Sequence, residues 1–488
     1  MNQFLPVLRV LGVVLTFFSL AFLLPLGVSW TEGDGLRDVW ISSAGVALAC
    51  GAALWAGLRR FKRELHPRHG IVLVSLAWVL LPLFAALPLM LALHQLGRPL
   101  SFTHAYFEAV SGLTTTGSTV LSGLDRLPVS INMWRTFLQW LGGMGILVLA
   151  VAILPLLGVG GSQLFKAEVA GPIKDNRLTP RITDTAKGLW GIYAVLSLTC
   201  MLAYWAGGMP PLDAAMHMFS TVSLGGLSSH DASFGHFDSP VLESVALVFM
   251  LVASCNFALY FMAVRKGHWR GVWRDPELRA TLMALVGGGL VVAGVLWVKG
   301  VYGPLDALRL GMFHAVSVGS TTGYSTVDYL AWPVFAPIFM LLLSGVATSA
   351  GSTGCGIKMV RVLILLKQAG REMRRLVHPQ AVQPVKLGQT VVDDRVIFAV
   401  MAFMLVYGVT IITLAMLLVL ADVDPLTAFS AVIASVNCMG PGLGAVGPAA
   451  HYGIFTDFQL WVCTLGMVLG RLELLSFIAL LTPSFWRR

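Results

Sequence analysis

The sequence predicts an all-α polytopic membrane protein, with four pseudo-repeated units around one central axis and an extra amino-terminal helix pair. Of its 488 residues, 57% are hydrophobic and only 12% are charged, and the mean hydropathy is +0.80. Soluble domains carry about 25% charged residues. The apolar content continues to the last dozen residues, which excludes a secretory leader followed by a soluble domain. A short apolar segment that ends at a glycine also recurs four times.

Ten segments are long and apolar enough to be predicted as membrane spans, since about 20 apolar residues in a helix cross a bilayer. Their approximate limits are 7–29, 38–58, 71–93, 132–155, 184–206, 241–263, 279–298, 333–370 (interrupted), 395–420 and 457–483.

The basic residues occur mainly in alternate loops, within 59–68, 166–187, 265–279 and 358–395. By the positive-inside rule these loops are cytoplasmic, and both termini are then expected on that side. Topology thus accounts for the net charge of +9, and we expect no nucleic-acid partner. The opposite loops are acidic and would enrich cations near the outer face.

Between alternate spans lie four apolar segments that are too short to cross the bilayer, near 103–116, 212–224, 306–322 and 425–439. FEAVSGLTTTG and FHAVSVGSTTG match best, while FSTVSLGG and SVNCMGPG are looser copies. We therefore predict a unit of span, short re-entrant helix and span that occurs four times. The predicted units are 66–160, 161–268, 269–378 and 379–488, preceded by the helix pair 1–65.

The loop after each short segment predicts a pore. Non-helical backbone at membrane depth is tolerated only where it lines a water-filled path or is buried in protein. Four loops around one central pore can present carbonyl groups that replace the hydration shell of a cation. Glycine permits the unusual φ angles that this requires. Small-residue packing between helices is the alternative, but four regularly spaced copies favour the pore.

These loops, together with QWLGGMG (139–145), NCMGPGLG (437–444) and GMVLGRLE (466–473), resemble the Trk/Ktr/HKT superfamily of potassium transporters over nearly the whole chain. The extra amino-terminal pair is similar to that of its TrkH subunits. The resemblance implies that K⁺ is the transported ion and is bound in a selectivity filter. The implied filter residues are Thr115, Thr116, Gly117, Ser223, Leu224, Gly225, Thr321, Thr322, Gly323, Cys438, Met439 and Gly440.

The eighth span is apolar up to Val346, breaks at TSAGSTGCG and resumes at Ile357. A break in mid-span usually lines a cavity, and the resemblance implies a loop that gates the pore. The predicted gate comprises Thr348, Ser349, Ala350, Gly351, Ser352, Thr353, Gly354, Cys355, Gly356, Lys358 and Arg471.

A phosphate-binding loop is the competing interpretation of this break, because two of its glycines have the G-x-x-x-x-G spacing. The Lys-Ser/Thr pair that should follow is missing. We therefore expect no nucleotide on this chain.

Arg471 lies near the middle of the last predicted span. A charge at that depth costs about 2.5 to 3.5 kcal/mol or more and usually has a function. The resemblance favours a positive charge below the filter that helps to close the pore. A structural ion pair with Glu473 or with a carboxylate of another helix is the alternative.

An enzyme is not expected. His104, His217 and His314 fall in the short segments, but neither an HExxH nor a paired-Asp pattern accompanies them.

Our first hypothesis is gated K⁺ uptake in a bacterial inner membrane. By resemblance, the transporter is a multi-pass homodimer in the lipid bilayer, regulated by a TrkA-like cytoplasmic subunit that binds NAD(H) or ATP/ADP. The alternative is K⁺ transport coupled to H⁺ or Na⁺ symport. Symport predicts an intramembrane carboxylate that titrates during transport, for which Glu108 and Glu473 are the candidates.

Overall fold

The structure is a computed structural model that describes residues 4–61, 67–145, 182–267, 269–380, 383–388, 390–472 and 474–486. Within these residues the regular secondary structure is helical, apart from one antiparallel hairpin that pairs β1 (Lys386–Leu387) with β2 (Thr390–Val391). The all-α class is therefore confirmed, with this small exception.

In chain order the helices are α1 (Leu5–Phe18), α2 (Leu23–Glu32), α3 (Arg37–Gly57), α4 (Pro67–Gln95), α5 (Phe102–Leu113), α6 (Val129–Gly143), α7 (Ile182–Ala206), α8 (Pro211–Ser223), α9 (Pro240–Ala253), α10 (Phe257–Lys266), α11 (Arg270–Arg274), α12 (Pro276–Val298), α13 (Pro304–Gly319), α14 (Phe335–Val346), α15 (Met359–Val377), α16 (Asp394–Leu420), α17 (Pro425–Val436), α18 (Asp457–Arg471), α19 (Leu474–Leu481) and α20 (Pro483–Trp486).

Six helical segments in the described part of the chain are long and apolar enough to cross a membrane, and a seventh is a bent pair. The protein is therefore a multi-pass membrane protein. The bent pair is α9 and α10, which meet at 83°, so the prediction of one continuous span over 241–263 is wrong. Asn256 explains the break: its side chain accepts a hydrogen bond from the Ala258 N–H at 2.9 Å and caps a new helix.

The interruption predicted within 333–370 is present, because α14 ends at Val346 and α15 begins only at Met359. The last predicted span, 457–483, is also broken: α18 ends at Arg471, and Leu472 leaves the helical conformation with ψ near 5°. Several predicted features lie outside the described residues, namely the remainder of 132–155 beyond residue 145, the basic residues of 166–181, Glu473, the unit boundaries at 65/66 and 160/161, and residue 268.

The four short segments form helices α5, α8, α13 and α17, and their starts follow from the sequence. Proline occupies the first turn of the last three, where the missing N–H is not needed. The Ser101 hydroxyl caps α5 by accepting from the His104 N–H, and the Asp424 carboxylate caps α17 by accepting from the Thr427 N–H. Hydrogen bonds from Thr427 lower the pKa of Asp424, so a negative charge stands at a helix amino terminus, which is favourable.

The short helices pack against long helices that neighbour them in the chain, for example α5 against α4 and α6, and α13 against α12. The amino-terminal helices add to the core around α4 and α6. Trp134 of α6 stacks on Phe22 with ring centroids 4.6 Å apart, and its N–H donates to the Ala85 carbonyl at 3.0 Å. Helices α1 and α2 therefore pack against α4 and α6.

Close approach of α12 and α13 depends on Gly311. A methyl group at this position would lie 2.7 Å from the backbone nitrogen of Ala293. We expect Gly311→Ala to destabilise the protein by about 1 to 3 kcal/mol, because the two helices must separate. Thermal unfolding of the purified protein in detergent measures this. Gly287→Ala in α12, where nothing lies within 4 Å of the added methyl group, is the matched control, and equal melting temperatures for the two variants would contradict the account.

Candidate functional site

Each short helix leads into a turn with the same backbone. We name these turns L1 (115–117), L2 (224–226), L3 (321–323) and L4 (438–440). The first residue of each has a positive φ although it is not glycine, and the third is a glycine with positive φ. These residues are Thr115 (58°), Leu224 (56°), Thr321 (68°) and Cys438 (52°), and Gly117 (85°), Gly226 (75°), Gly323 (85°) and Gly440 (97°). Positive φ is uncommon outside glycine, so four equivalent cases indicate one constrained conformation used four times.

The middle residue of each turn confirms this equivalence. Its N–H donates to the carbonyl group five residues earlier, inside the preceding short helix. The four bonds are Thr116 to Ser111 at 2.9 Å, Gly225 to Ser220 at 2.8 Å, Thr322 to Ser317 at 2.9 Å and Met439 to Ala434 at 2.8 Å.

This equivalence corrects the predicted register of the second loop. The prediction aligned Ser223, Leu224 and Gly225 with the other three loops, whereas the backbone aligns Leu224, Gly225 and Gly226. Ser223 is the last residue of α8. Gly225 and Gly226 are adjacent, so the sequence pattern fits two registers. The prediction takes Gly225 as the last residue of the loop and therefore omits Gly226. The other nine predicted filter residues occupy equivalent places in L1, L3 and L4.

The four loops form a closed ring. A methyl group on Gly117 would lie 2.1 Å from the Gly225 carbonyl oxygen of L2, and one on Gly226 would lie 1.8 Å from the Thr322 oxygen of L3. In the same way, a methyl group on Gly323 would lie 2.1 Å from the Met439 carbonyl oxygen of L4, and one on Gly440 would lie 3.0 Å from the Thr116 carbonyl oxygen of L1. Each glycine therefore faces the carbonyl group of the next loop, in the order one to four and back to one.

The surroundings of the ring are buried and electrostatically favourable to a cation. The four short helices end directly before the loops, and a helix carboxyl terminus carries about half a negative charge. Gln139 braces L2, because its amide donates to the Gly225 carbonyl at 2.6 Å and accepts from the Leu227 N–H at 3.1 Å. The motif around Gln139 was noted in the sequence, but this role was not predicted.

A buried ion pair fixes the segments that follow L1 and L2. Arg135 Nε donates to Glu108 Oε1 at 2.7 Å, and both side chains are at most 1% exposed. Glu108 also accepts from the Val120 N–H and the Thr119 hydroxyl. Arg135 donates in addition to the Ser228 carbonyl at 3.3 Å. Of the two carboxylates that symport would use, Glu108 is therefore engaged in this pair, and Glu473 lies outside the described residues.

The predicted gate loop lies against the ring. A methyl group on Gly354 would lie 3.1 Å from the Thr321 hydroxyl of L3 and 3.3 Å from the Leu224 side chain of L2. Thr353 donates to the Val222 carbonyl of α8 at 3.1 Å. The buried thiols of Cys355 and of Cys438 in L4 lie close to each other.

Hydrogen bonds hold this loop in its compact form. Lys358 donates to the carbonyl groups of Gly354 and Ser349. Two further side-chain hydrogen bonds within the loop join the Thr348 hydroxyl to the Cys355 carbonyl at 2.6 Å and the Ser352 hydroxyl to the Ser349 carbonyl at 2.7 Å. Gly356 adopts a positive φ of 88°.

Two anchors of the gate loop were not predicted. Glu277, at the start of α12, accepts from the Ala350 N–H at 2.6 Å and the Val360 N–H at 3.2 Å. The break between α9 and α10 is the second: the Ser254 carbonyl accepts from Ser349, and the Phe257 N–H donates to the Gly351 carbonyl, each at 3.0 Å. Both anchors are distant in sequence from the loop, and the loop motif itself carries no sign of them.

Arg471 joins the gate loop to L1. Its guanidinium donates to the Thr353 carbonyl at 2.9 Å and to the Thr115 hydroxyl at 3.3 Å. It also donates to the carbonyl groups of Gly142 and Gly143, at the end of α6. One positive charge is thus placed between the loop and the ring.

The chain is similar over nearly its whole length to known cation transport proteins. The profile of the family described as TrkH, cation transport protein, matches residues 38–487. The Trk system potassium uptake protein TrkH of Vibrio parahaemolyticus is 44% identical over 489 residues, covering 99% of this chain and 100% of that protein. TrkH of Escherichia coli K12 is 41% identical, with 99% and 100% covered. The crystal structure of the potassium transporter TrkH from Vibrio parahaemolyticus aligns with a TM-score of 0.89 at 42% identity, covering 99% of this chain and 100% of that one.

Loss of the buried Glu108 charge should destabilise the protein strongly. Glu108→Gln leaves Arg135 buried without its counter-ion, and breaking such a pair costs about 3 to 5 kcal/mol. We expect a marked fall in the melting temperature measured in detergent. Glu372→Gln removes an exposed partner of Arg375 and should change stability by less than about 1 kcal/mol. Similar melting temperatures for both variants would mean that the pair does not hold the loops.

Proposed function

The chain belongs to the TrkH family of cation transport proteins, and we propose that it takes up K⁺ across the bacterial inner membrane through a gated, carbonyl-lined selectivity filter. The filter consists of L1 to L4, with Leu224, Gly225 and Gly226 as the contribution of the second unit. The relatives named above are potassium uptake proteins, which supports K⁺ as the ion. The closed ring of glycines and carbonyl groups carries the proposal, because backbone carbonyls are the ligands that replace the hydration shell of K⁺.

Further support comes from polar groups in the ring. The Thr321 hydroxyl is buried, and no hydrogen-bond partner is recorded for it among the residues that the structure describes. A buried polar group without a partner is costly, and a cation or water on the axis would satisfy it. The ring lies at the convergence of four helix carboxyl termini, which favours a cation over an anion.

We further propose that the loop 348–356, with Lys358 and Arg471, closes this path. The loop lies against L2, L3 and L4, and Arg471 links it to L1. Two positive side chains next to a cation site raise the energy of an entering K⁺, so withdrawal of the loop and of Arg471 opens the path.

Regulation by a TrkA-like cytoplasmic subunit that binds NAD(H) or ATP/ADP is part of this proposal. The names of the relatives refer to a Trk system, which supports a partner. Helix α15 begins directly after Lys358 and exposes Arg374, Arg375 and Leu376 near its end. A subunit bound there would pull on the gate loop through one continuous helix.

The same proposal includes a homodimer with cytoplasmic termini. It also divides the chain into the helix pair 1–65 and the four units 66–160, 161–268, 269–378 and 379–488. The basic loops support the orientation, and the repeated turn of L1 to L4 supports four units.

Counterflow uptake of Rb⁺ into liposomes that hold the purified chain tests the function. We expect uptake that requires internal K⁺, is weak with internal Na⁺ and does not depend on a proton gradient. The involvement of Glu108 in an ion pair favours this outcome. Uptake that strictly requires a H⁺ or Na⁺ gradient would favour the symport alternative, and absence of Rb⁺ uptake would contradict the proposal.

Replacement of Gly226 tests the corrected register of the filter. Gly226→Ala places a methyl group against the Thr322 carbonyl at a positive φ, which costs about 1 to 3 kcal/mol in backbone strain alone. We expect Rb⁺ uptake to fall about tenfold or more, while Gly287→Ala in α12 retains it. The two variants should insert into the membrane equally. Wild-type uptake by Gly226→Ala would refute the assignment of L2.

Removal of the charge at Arg471 tests the gate. Arg471→Ala loses the bonds to the Thr353 carbonyl and the Thr115 hydroxyl, so the loop is held less tightly and the electrostatic barrier falls. Basal Rb⁺ uptake should rise in liposomes that contain this chain alone. Arg375→Ala, on the exposed end of α15, is the control and should leave basal uptake unchanged. If both variants behave as the wild type, the gate assignment is wrong.

A further inference from the structure

A cluster of histidine and aspartate side chains lies in the segments that follow L1 and L2. Asp125, His230 and His236 offer one ligand atom each, and these atoms lie within 4.8 Å of one another. Asp125 Oδ1 is 2.5 Å from His230 Nδ1 and 3.9 Å from His236 Nδ1. The two imidazole rings are stacked with centroids 3.5 Å apart. Residues that are more than 100 positions apart in the chain thus converge at one point.

A second carboxylate lies near the other ring nitrogen of the central histidine. His230 Nε2 lies 3.4 Å from Asp213 Oδ1, and Asp213 is itself held by the Ser229 hydroxyl at 2.7 Å. His230 Nε2 is buried and makes no hydrogen bond with the described residues, so Asp213 is a nearby charge rather than a hydrogen-bond partner. His230 Nδ1 faces Asp125 and His236, and a metal ion there would take the place of the proton that Nδ1 shares with Asp125.

We propose that Asp125, His230 and His236 form a Zn²⁺ site on the outer face of the protein, with the Asp213 carboxylate beside His230. Two imidazoles and one carboxylate suit Zn²⁺, which binds three protein ligands and leaves the fourth position to water. Mg²⁺ prefers oxygen ligands in octahedral geometry and does not fit this set.

The side chains are accessible and can adjust. Asp125 is 43% exposed and His236 is 46% exposed, whereas His230 is 15% exposed. Zinc–ligand distances of about 2.0 to 2.2 Å require the three atoms to approach one another. Rotation of the exposed His236 side chain provides this movement, while the less exposed His230 keeps its position.

Bound Zn²⁺ would restrain cation entry, a consequence that rests on the proposed function. His230 follows Gly226 by four residues, so the two Cα atoms are at most about 14 Å apart. The added double positive charge lowers the local concentration of K⁺ at the mouth. The ion also ties the segment after L1 to the segment after L2. That second segment includes Ser228, whose carbonyl group accepts from Arg135.

Binding is tested by calorimetry with the full chain, free of any affinity tag, in detergent. We expect one Zn²⁺ per chain in the wild type and in His94→Gln, an exposed histidine outside the cluster. His236→Gln, which loses one of three protein ligands, should weaken binding by about tenfold or more. Mg²⁺ should give no heat of binding. The proposal is overturned if the wild type does not bind Zn²⁺, or if His236→Gln and Asp125→Asn both bind it as tightly as the wild type.

The consequence is tested by Rb⁺ uptake into liposomes with and without external Zn²⁺. We expect inhibition of the wild type and of His94→Gln, and little inhibition of His236→Gln, whose uptake without Zn²⁺ should equal that of the wild type. Equal inhibition of all three proteins would show that Zn²⁺ bound at this site is not the cause of the inhibition. If Rb⁺ uptake is absent even without Zn²⁺, the proposed function is contradicted but the metal site is not, because calorimetry measures Zn²⁺ binding independently.

Discussion

The closed ring of L1 to L4 depends on one steric constraint: the third residue of each loop lies so close to the carbonyl group of the next loop that only glycine fits. A methyl group added to Gly117, Gly226 or Gly323 would lie within 2.1 Å of that oxygen, and one added to Gly440 would lie 3.0 Å from it. The same four glycines have positive φ angles. Because each loop is positioned by its neighbour, the four turns act as one unit, and a change in any loop is expected to disturb the whole ring.

The rest of the site holds this ring from two sides. On one side, the Glu108–Arg135 pair binds backbone and side-chain groups that follow L1 and L2, and the metal-binding cluster lies in the same segments. On the other side, the loop 348–356 packs against L2 and L3 through Gly354, brings Cys355 close to Cys438 of L4, and reaches L1 through Arg471. Glu277 and the break between α9 and α10 anchor the loop in turn. The loop 348–356 is thus linked, directly or through Arg471, to all four turns L1 to L4.

The fold class, the four short helices and the interruption after Val346 could be predicted from sequence, because apolar length and repeated Thr-Thr-Gly patterns are local signals. The register of L2 could not, since Gly225 and Gly226 both fit the pattern and only the neighbouring loops distinguish them. The bend at residues 254–256 lies inside an apolar run, and Ser254 and Asn256 were its only local sign. Contacts such as Glu108 with Arg135, Glu277 with the gate loop, and Asp125 with His230 join distant parts of the chain, so no sequence pattern reveals them.

The central claim is that the ring of L1 to L4 binds the transported cation. Anomalous diffraction from crystals of the protein grown with Rb⁺ or Tl⁺ in place of K⁺ tests it most directly, because these heavier ions can be located without assumptions about the path. The account predicts anomalous peaks on the axis enclosed by the carbonyl groups of residues 116, 225, 322 and 439. Ordered ions found only elsewhere in the protein, with none inside the ring, would contradict it.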